Sequence, residues 1–503
     1  MFSKLKSGTD VRGRAMGENP DITAETAFRL GYAFTKWLKK NDETDIKIAF
    51  GRDSRLSGPK LLNACAQGAM AAGAKVLDFG LCTTPAMFYS LSYEPLNLCA
   101  SIMVTASHHP KDRNGFKFFI KRSGISSSEL DQILDEASKV DKAIVQLEDE
   151  KTIERFDYLS VYSGFLEQLV RDKLETDVLK PLLGLHVVVD ASSGAGGFYE
   201  KVLQDLGAWT EGSINLKPDG NFPAHPPNPE NPEAMQCLSE AVLKAGADLG
   251  VIFDTDCDRA AIIDQSGKEI NRNRLIAMVS VIILNKTPGA AIVTDSVTSS
   301  GLSKFIEEWG GVHHRYKRGY RNVIEEAMRL NRSGVDAPLA METSGHAAFR
   351  ENHFVDDGMY LATILICEAM RLKRSDKLLG DLLEGLQEPI ESVEIRLPIT
   401  DEDFLSTGLE TIESVMEYAN TDNTWHIAPD NREGVRINFN LNGEINSAWF
   451  LLRLSVHDPV LPLNAESDVA GGVKQILTKL YDVLKQCEGV DLKPLREYLE
   501  KEN

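Results

Sequence analysis

Cysteine is scarce in this sequence: there are seven among 503 residues, an odd number, widely spaced and without a C-x-x-C pair. This spacing argues against a disulfide framework and favours reduced thiols, so we expect a cytoplasmic protein. Basic residues are also few, with 55 Lys and Arg against 75 Asp and Glu. The resulting net charge of −20 excludes a general nucleic-acid binder, which needs a basic face. An anionic ligand would therefore need a local basic cluster.

Long apolar runs are absent as well. No stretch of the sequence is apolar for long enough to cross a bilayer, and the first ten residues, MFSKLKSGTD, lack the apolar core of a signal peptide. We therefore expect no membrane partner. Nothing in the sequence indicates an oligomeric state.

The order of short apolar runs and helical patterns predicts several α/β domains. IKIAFGRDSR is typical of a strand that enters a loop, PKLLNACAQGAMAAG of a helix, and AKVLDFG and CASIMV of strands. The same rhythm restarts twice, whereas VEIRLP, GVRINFNL and SAWFLLRLS near the end favour an antiparallel sheet. The predicted domains are residues 1–156, 157–266, 267–388 and 389–503.

Three carboxylates alternate directly after an apolar strand in VIFDTDCDRAAIID: Asp254, Asp256 and Asp258. A loop at this point could turn all three toward one ion, and hard oxygen ligands suit Mg²⁺ or Ca²⁺ rather than zinc. An EF-hand loop would need Gly at its sixth position and Glu at its twelfth, where Arg259 and Gln265 stand. An acidic surface turn is disfavoured because the motif lies between two strongly apolar runs.

A serine follows the predicted strand in CASIMVTASHHPKDRNGFK. Ser107 could be only a local cap before Pro110, and an adjacent Ser-His pair does not by itself make a nucleophile and its base. However, Lys111, Arg113 and Lys117 follow within ten residues. A serine among cations and beside a metal site is suited to carry a phosphoryl group, because those charges offset the phosphate.

Two further stretches offer polar groups for a small ligand. In LAMETSGHAAFRENHF, Glu342 and Ser344 can bind the hydroxyl groups of a polar ligand, and His346 adds a donor. In WFLLRLSVHDP, three side chains after a strand could form a phosphate cup: Arg453, Ser455 and His457. An arginine on an edge strand with no ligand is an equally good interpretation of the second stretch.

Together and in this order, the four stretches resemble the signatures of the α-D-phosphohexomutases, the phosphoglucomutase/phosphomannomutase superfamily. TASHHPKDRNGFK resembles the phosphoserine loop, DTDCDR the metal loop, ETSGH the sugar loop and RLSVHDP the phosphate loop. GTDVRG, GRDSRLSG and PDGNFPAHPPNPE add smaller matches. The resemblance implies an α/β fold, with three similar mixed-sheet α/β domains and a smaller α+β C-terminal domain around a central cleft, each domain carrying one of the four loops.

The resemblance also implies an activity. The enzyme would interconvert hexose 1-phosphate and hexose 6-phosphate, of glucose and/or mannose, through a phosphoserine and a hexose 1,6-bisphosphate intermediate. Its cofactor would be Mg²⁺ and its activator hexose 1,6-bisphosphate. Ser107 would carry the phosphoryl group, and this phosphate would complete the coordination of Mg²⁺ by Asp254, Asp256 and Asp258.

The remaining roles follow from the same resemblance. Lys117 and His108 match the positions of the general base and acid, and Arg12 and Arg259 would flank the transferred phosphoryl group. Residues for the substrate would be the sugar ligands Glu342, Ser344, His346 and Lys317 and the phosphate ligands Arg453, Ser455 and His457.

The sequence departs from the family pattern at the phosphate loop and the sugar loop. Val456 and His457 stand where the family has Gly and Thr, so we expect altered phosphate binding. Thr343 is neither the Gln of the phosphoglucosamine branch nor the Met common in the glucose/mannose branch. Phosphoglucosamine mutase and a non-catalytic sugar-phosphate-binding homologue therefore stay open as alternatives. A haloacid-dehalogenase-type phosphatase is disfavoured, because Asp258 occupies the position where that fold has Thr or Val.

Overall fold

The structure is a computed structural model that describes residues 2–41, 44–121, 123–148, 153–455 and 458–501. The chain divides into two compact units. The first unit comprises Met1–Asn271, Ser344–Ala348 and Val355–Asp381, and the second comprises Arg272–Thr343, Phe349–Phe354 and Leu382–Asn503. Within the described ranges, no helix has both the length and the apolar character that crossing a membrane requires.

The first unit begins with a seven-stranded mixed sheet. Its strands follow the order β1-β2-β6-β5-β3-β4, with β7 paired to β6. β3 runs parallel to β4 and β5, and the pairs of β6 are antiparallel. The strands are β1 (Lys6–Ser7), β2 (Asp10–Arg14), β3 (Lys47–Arg52), β4 (Lys75–Leu81), β5 (Ala100–Val104), β6 (Arg113–Ile120) and β7 (Ser123–Gly124).

Helices cover this sheet, and their ends are fixed by local side chains. The Thr23 hydroxyl accepts from the Thr26 amide at the start of the first helix, and Ser126 and Glu129 form a capping box at the start of the fourth. The helices of this region are α1 (Ala24–Lys40), α2 (Gly58–Ala71), α3 (Thr84–Tyr89) and α4 (Ser127–Ser138). Their apolar faces and the central strands share one core, in which Phe34, Phe50 and Phe118 are buried.

A second mixed sheet of the first unit has the order β11-β10-β9-β8, with β8 and β9 parallel and the other pairs antiparallel. Its strands are β8 (Val187–Asp190), β9 (Leu249–Phe253), β10 (Ala260–Asp264) and β11 (Glu269–Ile270). The associated helices are α5 (Tyr158–Leu174), α6 (Phe198–Asp205), α7 (Pro232–Ala245) and α11 (Gly358–Lys373). β8, β9 and β10 are buried along their whole length, which explains their continuous apolar sequences.

A third sheet has the order β13-β12-β14-β15, in which β12 is parallel to both β13 and β14, and its strands β12, β13 and β14 belong to the second unit. Its strands are β12 (Ala291–Thr294), β13 (Val312–Arg315), β14 (Leu339–Met341) and β15 (Ala347–Phe349), and its helices are α8 (Arg272–Leu284), α9 (Ser300–Glu308) and α10 (Tyr320–Arg332).

The C-terminal part of the second unit is an antiparallel sheet of order β16-β20-β19-β18-β17. Its strands are β16 (Glu391–Pro398), β17 (His426–Ile427), β18 (Val435–Leu441), β19 (Glu444–Leu452) and β20 (Val460–Ser467). Its helices are α12 (Phe404–Ala419), α13 (Gly472–Leu484) and α14 (Lys493–Glu500). The predicted fold class, three α/β sets followed by a smaller α+β part, is confirmed. The exact domain boundaries stay predictions.

Helices α1 and α2 approach so closely that each needs a glycine at the contact. A Cβ at Gly31 would lie 1.9 Å from the carbonyl oxygen of Cys65, and a Cβ at Gly68 would lie 1.9 Å from that of Phe28. The two backbones therefore pack against one another without an intervening side chain.

We expect Gly68→Ala to lower the free energy of unfolding by about 2 kcal/mol, because the added methyl group forces the two helices apart. Gly164→Ala in α5 is the matched control, since its Cβ would meet no atom within 4 Å. The control should gain about 0.5–1 kcal/mol from helix propensity. Urea unfolding followed by circular dichroism measures both changes. Equal stability of the two variants would show that the helices tolerate separation at this contact.

Candidate active site

The reactive serine and the carboxylates of the first unit follow the ends of two buried strands. Ser107 lies three residues after β5, and Asp254 is the first residue after β9. Ser107 has a positive φ of 50° and a fully buried side chain. Its hydroxyl donates to Asp254 Oδ2 over 2.8 Å. The predicted meeting of the serine loop and the acidic loop is therefore present within this unit.

The acidic loop brings three carboxylates to one point. Ligand oxygens of Asp254, Asp256 and Asp258 all lie within 4.8 Å of one another, and all three residues are buried. Asp256 Oδ1 and Asp258 Oδ1 have no hydrogen-bond partner among the described residues, although both atoms are shielded from solvent. Buried carboxylate oxygens without donors fit a hard divalent cation. The group could hold a metal ion.

The acidic loop is fixed by a neighbouring loop that follows β8. The amide of Ala195 donates to the carbonyl of Thr255 over 2.9 Å. A Cβ at Gly194 would lie 2.6 Å from that same carbonyl oxygen, so only glycine allows this approach. Cys257 has φ +64°, and its amide donates to the Asp254 carbonyl over 3.3 Å, which closes the turn.

Helix α3 holds the other side of the acidic loop. The amide of Thr84 donates to the carbonyl of Asp256 over 2.9 Å, and the Thr84 hydroxyl donates to Asp256 Oδ2. Thr84 is the first residue of α3, where an unpaired amide is expected. Helix α3, which covers the first sheet, thus helps to set the orientation of the Asp256 side chain.

Cations compensate the crowded carboxylates. Lys117 Nζ donates to Asp256 Oδ2 over 2.9 Å and to Asp258 Oδ2 over 2.5 Å. Burial alone would lower the pKa of Lys117, but the two carboxylates outweigh it and raise this pKa well above its usual value. Lys117 therefore carries its proton in this arrangement.

The three carboxylates do not share the charge equally. Burial, and then the charges of Asp258 and Asp256, raise the pKa of Asp254 well above its usual value. Burial acts in the same direction on Asp258, but the positive charges of Lys117, His346 and Arg259 lower its pKa. Of these two carboxylates, Asp258 is therefore the more firmly ionised, and Asp254 holds a proton more readily.

His108 and Arg12 lie beside the serine. His108 Nδ1 is 3.3 Å from Ser107 Oγ, and the charge of Arg259 and then burial lower the pKa of His108 well below its usual value. The imidazole is therefore neutral at pH 7. Arg12 Nη2 donates to Asp10 over 2.8 Å, and Nη1 lies 3.5 Å from the carbonyl oxygen of Ala106, next to the serine. Both residues reach the predicted site.

Part of the sugar loop also belongs to the first unit. Arg259 Nε donates to His346 Nε2 over 3.2 Å, and His346 Nδ1 lies 2.9 Å from Ser344 Oγ. The same His346 Nε2 is 3.6 Å from Asp258 Oδ1. A short polar chain therefore runs from the sugar-loop serine to the acidic loop, so His346 contacts the metal-loop residues as well as Ser344.

In the second unit, Glu342 accepts from the amide of Gly319 over 2.6 Å at the start of α10. The neighbouring Thr343 hydroxyl donates to Asp295 Oδ2 over 2.8 Å. Burial raises the pKa of Asp295 to about 7, with Glu342 adding to this shift and Arg318 opposing it. The substituted threonine of the sugar loop therefore binds a buried carboxyl group.

The phosphate loop is described up to Ser455 and again from Asp458. Arg453 and Ser455 follow β19, and their amides donate to the carbonyls of Pro462 and Val460, both over 3.1 Å. Arg453 Nε is buried and has no hydrogen-bond partner among the residues that the structure describes. Burial and the charge of Arg318 lower the pKa of Arg453. Val456 and His457 lie outside the described residues, so their predicted effects stay predictions.

Lys317, which sequence reasoning placed among the substrate ligands, stays a prediction, and sequence reasoning omitted Arg318 and Glu433. Lys317 is exposed, whereas Arg318 faces the buried groups, with Nε 4.0 Å from Asp295 Oδ2. Glu433 accepts from the amide of Arg318 over 3.1 Å and from the Ser296 hydroxyl. The only sequence signal was the pair of consecutive cations, which does not reveal which one points inward.

Comparison with known proteins identifies the family of the chain. Three family models match, described as phosphoglucomutase/phosphomannomutase α/β/α domain I (residues 4–143), domain II (163–267) and domain III (271–389). A phosphomannomutase/phosphoglucomutase of Pseudomonas syringae pv. tomato is 32% identical, over 95% of this chain and 94% of that protein. A phosphomannomutase of Escherichia coli is 31% identical, over 91% of this chain and 93% of that protein.

A solved structure agrees too. The crystal structure of a phosphoglucomutase/phosphomannomutase family protein from Burkholderia thailandensis matches with a TM-score of 0.78 and 27% identity, covering 96% of this chain and 98% of that one. The fold of this chain and its serine–carboxylate site together define the α-D-phosphohexomutase class. The chain belongs to the phosphoglucomutase/phosphomannomutase family.

A buried histidine, His225, supports the loop that follows β8, next to the acidic loop. His225 Nε2 lies 2.8 Å from Asp190 Oδ2, and His225 Nδ1 lies 2.9 Å from the carbonyl oxygen of Pro226. Asp190 Oδ1 also accepts from the amide of Ser192, whose hydroxyl donates to the carbonyl of Phe253. Burial opposes the charged imidazole, but the hydrogen bond and charge of Asp190 outweigh it, so the pKa of His225 is raised. The proline-rich segment PDGNFPAHPPNPE thus contributes a buried ion pair.

We expect the contribution of His225 to stability to depend on pH. Because its folded-state pKa is raised, this contribution is fully present below the unfolded-state pKa near 6.5 and is lost as the pH rises through the folded-state value. His225→Gln should therefore lower the melting temperature more at pH 6 than at pH 9. His426→Gln, at an exposed position, is the control and should change neither value. The same loss at both pH values would contradict a charged His225.

Proposed function

We propose that this protein is a phosphohexomutase that interconverts hexose 1-phosphate and hexose 6-phosphate, of glucose and/or mannose, through a phosphoserine at Ser107 and a hexose 1,6-bisphosphate. The observation that carries the proposal is the buried Ser107 hydroxyl, 2.8 Å from Asp254 within the three-carboxylate group. Relatives that match over most of the chain bear the names phosphomannomutase and phosphoglucomutase. Its partners would be small hexose phosphates.

The proposed cofactor is Mg²⁺, held by Asp254, Asp256, Asp258 and the oxygen atoms on Ser107. Two of these carboxylates carry the unpaired buried oxygens that a hard cation requires. When bound, the ion supplies positive charge that stabilises a phosphoryl group. The side chains of Arg12 and Arg259 provide further positive charge beside the serine, and the transferred phosphoryl group would lie between them.

The proton states of two side chains match one half of the proposed reaction. When Ser107 attacks a sugar bisphosphate, an Oγ–P bond forms and a sugar O–P bond breaks. The Ser107 hydroxyl donates to Asp254 in the structure, so it must first turn its proton toward the neutral His108, whose Nδ1 lies 3.3 Å from Oγ and can accept it. The leaving sugar oxygen needs a proton, which the cationic Lys117 supplies. After this step His108 is protonated and Lys117 is neutral. They are then the acid and base that the reverse transfer requires.

Substrate recognition is assigned to the sugar loop and the phosphate loop. Ser344, His346 and Glu342 would bind sugar hydroxyls, and Arg453 and Ser455 would bind the phosphate that does not react. Arg318 joins this set because its charge acts on Arg453 and Asp295. The roles of Lys317 and His457, hexose 1,6-bisphosphate as activator, the four domain boundaries and the cytoplasmic location are part of the same proposal.

Ser107→Ala should abolish mutase activity, lowering kcat at least about 1000-fold, because no other group can carry the phosphoryl group. Glucose 1-phosphate, mannose 1-phosphate and glucosamine 1-phosphate are offered in parallel with Mg²⁺ and hexose 1,6-bisphosphate. Ser101→Ala is the control, since its buried hydroxyl only donates to the Met87 carbonyl. Turnover of glucosamine 1-phosphate alone would favour phosphoglucosamine mutase. Binding without any turnover by the folded wild type would favour the non-catalytic homologue.

Asp256→Asn should weaken Mg²⁺ binding at least about tenfold, because it removes one of three anionic ligands. Isothermal titration of the protein with MgCl₂ measures this affinity, and the rise in melting temperature with Mg²⁺ measures it independently. The exposed Asp135→Asn is a control of equal charge change. Wild-type affinity in the Asp256 variant would rule out this carboxylate as a ligand.

A further inference from the structure

We propose that the buried ion pair of Asp53 and Arg55 is a positioning element for the reactive serine: it fixes both backbone groups of Ser107 and so aims the serine hydroxyl at the metal loop. This inference rests on the proposed function, in which Ser107 carries the phosphoryl group. Neither residue contacts the reacting atoms. Both belong to GRDSR, a motif to which the proposed mechanism assigns no role.

Arg55 holds the serine loop through its carbonyl groups. Its Nη2 donates to the carbonyls of Ser107 and His109, each over 2.5 Å. Its Nη1 donates to the carbonyls of Pro110 and Arg113, over 2.7 Å and 2.9 Å. The side chain has no exposed surface, so water does not compete for these bonds. One guanidinium therefore ties together the loop from residue 107 to residue 113.

Asp53 reaches the same serine from its other side. Asp53 Oδ2 accepts from Arg55 Nε over 3.1 Å and from the Thr105 hydroxyl over 2.7 Å. The Thr105 oxygen in turn accepts from the amide of Ser107 over 2.8 Å. The ion pair thus fixes the N–H of Ser107 through Thr105 and its C=O directly. These two contacts hold the serine at φ +50°, a conformation that non-glycine residues rarely adopt.

Only arginine can make this set of contacts. Its guanidinium has five N–H donors in one plane, and here Nε bonds to Asp53 while the two Nη atoms bond to four carbonyls. Lysine has three donors on one atom and cannot span this width. The PDGNF stretch packs against the ion pair. A Cβ at Gly220 would lie 2.6 Å from the Ser54 carbonyl oxygen, and the centre of the Phe222 ring lies 5.3 Å from the Arg55 guanidinium.

The experiment compares Arg55→Lys and Thr105→Val with Arg52→Lys. Thr105→Val keeps the side-chain shape and removes the hydroxyl that joins Asp53 to the Ser107 amide, while the contacts of Arg55 stay, so it tests the inference even if Arg55→Lys does not fold. Arg52 lies in the same motif and donates only to the Asp53 carbonyl, over 3.0 Å, in the described structure. Folding is checked by near-UV circular dichroism. The readouts are kcat, KM and the single-turnover transfer of labelled phosphate from hexose 1,6-bisphosphate to Ser107.

We expect Arg55→Lys and Thr105→Val each to lower kcat and the single-turnover rate about 30- to 100-fold, because misplacement by about 1 Å costs a factor of this size. KM should stay within about threefold of wild type, since the ligands for sugar and phosphate are unchanged, and Arg52→Lys should stay within about twofold in all readouts. Folded Arg55→Lys and Thr105→Val proteins that transfer phosphate at the wild-type rate would overturn the inference. A purely structural role predicts a lower melting temperature with unchanged kcat.

Hydrogen exchange of the amides from residue 105 to 115 separates this inference from the proposed function. Faster exchange in Arg55→Lys than in Arg52→Lys is expected, and equal exchange would overturn the positioning role. If wild-type protein takes no label on Ser107, the proposed function is wrong. The exchange result then still decides whether the ion pair holds the loop.

Discussion

The repulsion between three buried carboxylates is the constraint on which the site of the first unit depends. Asp254, Asp256 and Asp258 are brought within a few ångströms of one another in a place that water does not reach. Such a group is stable only with positive charge beside it. Lys117 comes from β6 of the first sheet and Arg259 from the acidic loop itself, so two sheets are linked through this one charge requirement. The serine loop is the further element that meets the group, and a divalent cation fits the remaining oxygens.

Two arginines, Arg55 and Arg436, are buried, although the net charge of the chain is −20. In both units arginines hold loops by donating to backbone carbonyls. Arg55 does so for the serine loop, and in the second unit Arg436 donates to the carbonyls of Ser296 and Thr298, over 2.8 Å and 3.2 Å. Arg436 also lies 3.6 Å from the centre of the Trp449 ring, which covers one face of its guanidinium. In each unit a loop without regular secondary structure is thereby held by one buried guanidinium.

Sequence reasoning recovers the elements and the acidic motif because both depend on local patterns. Apolar runs mark β3, β5 and β9, and the alternation of carboxylates after a buried strand makes their convergence predictable. Contacts between distant segments are not predictable in this way. That Arg55 reaches four carbonyls more than fifty residues away, or that Arg318 rather than Lys317 points inward, depends on how the strands are ordered in the sheets. The buried ion pair of His225 and Asp190 could not be predicted either, because the composition of the proline-rich loop does not show that its histidine is buried.

The boundary between the two units passes through the sugar loop, between Thr343 and Ser344. A break in the chain at residue 271 would therefore separate segments that belong to the same unit. A chimaera that joins residues 1–271 of one relative to residues 272–503 of another would set the second parent's residue 346 against the first parent's residue 259. In the chimaera, residues 259 and 346 would come from different parents, so their side chains would meet in a combination that occurs in neither parent. The hydrogen bond from Arg259 to His346 would be kept in such a chimaera only if both parents carry side chains that can form it.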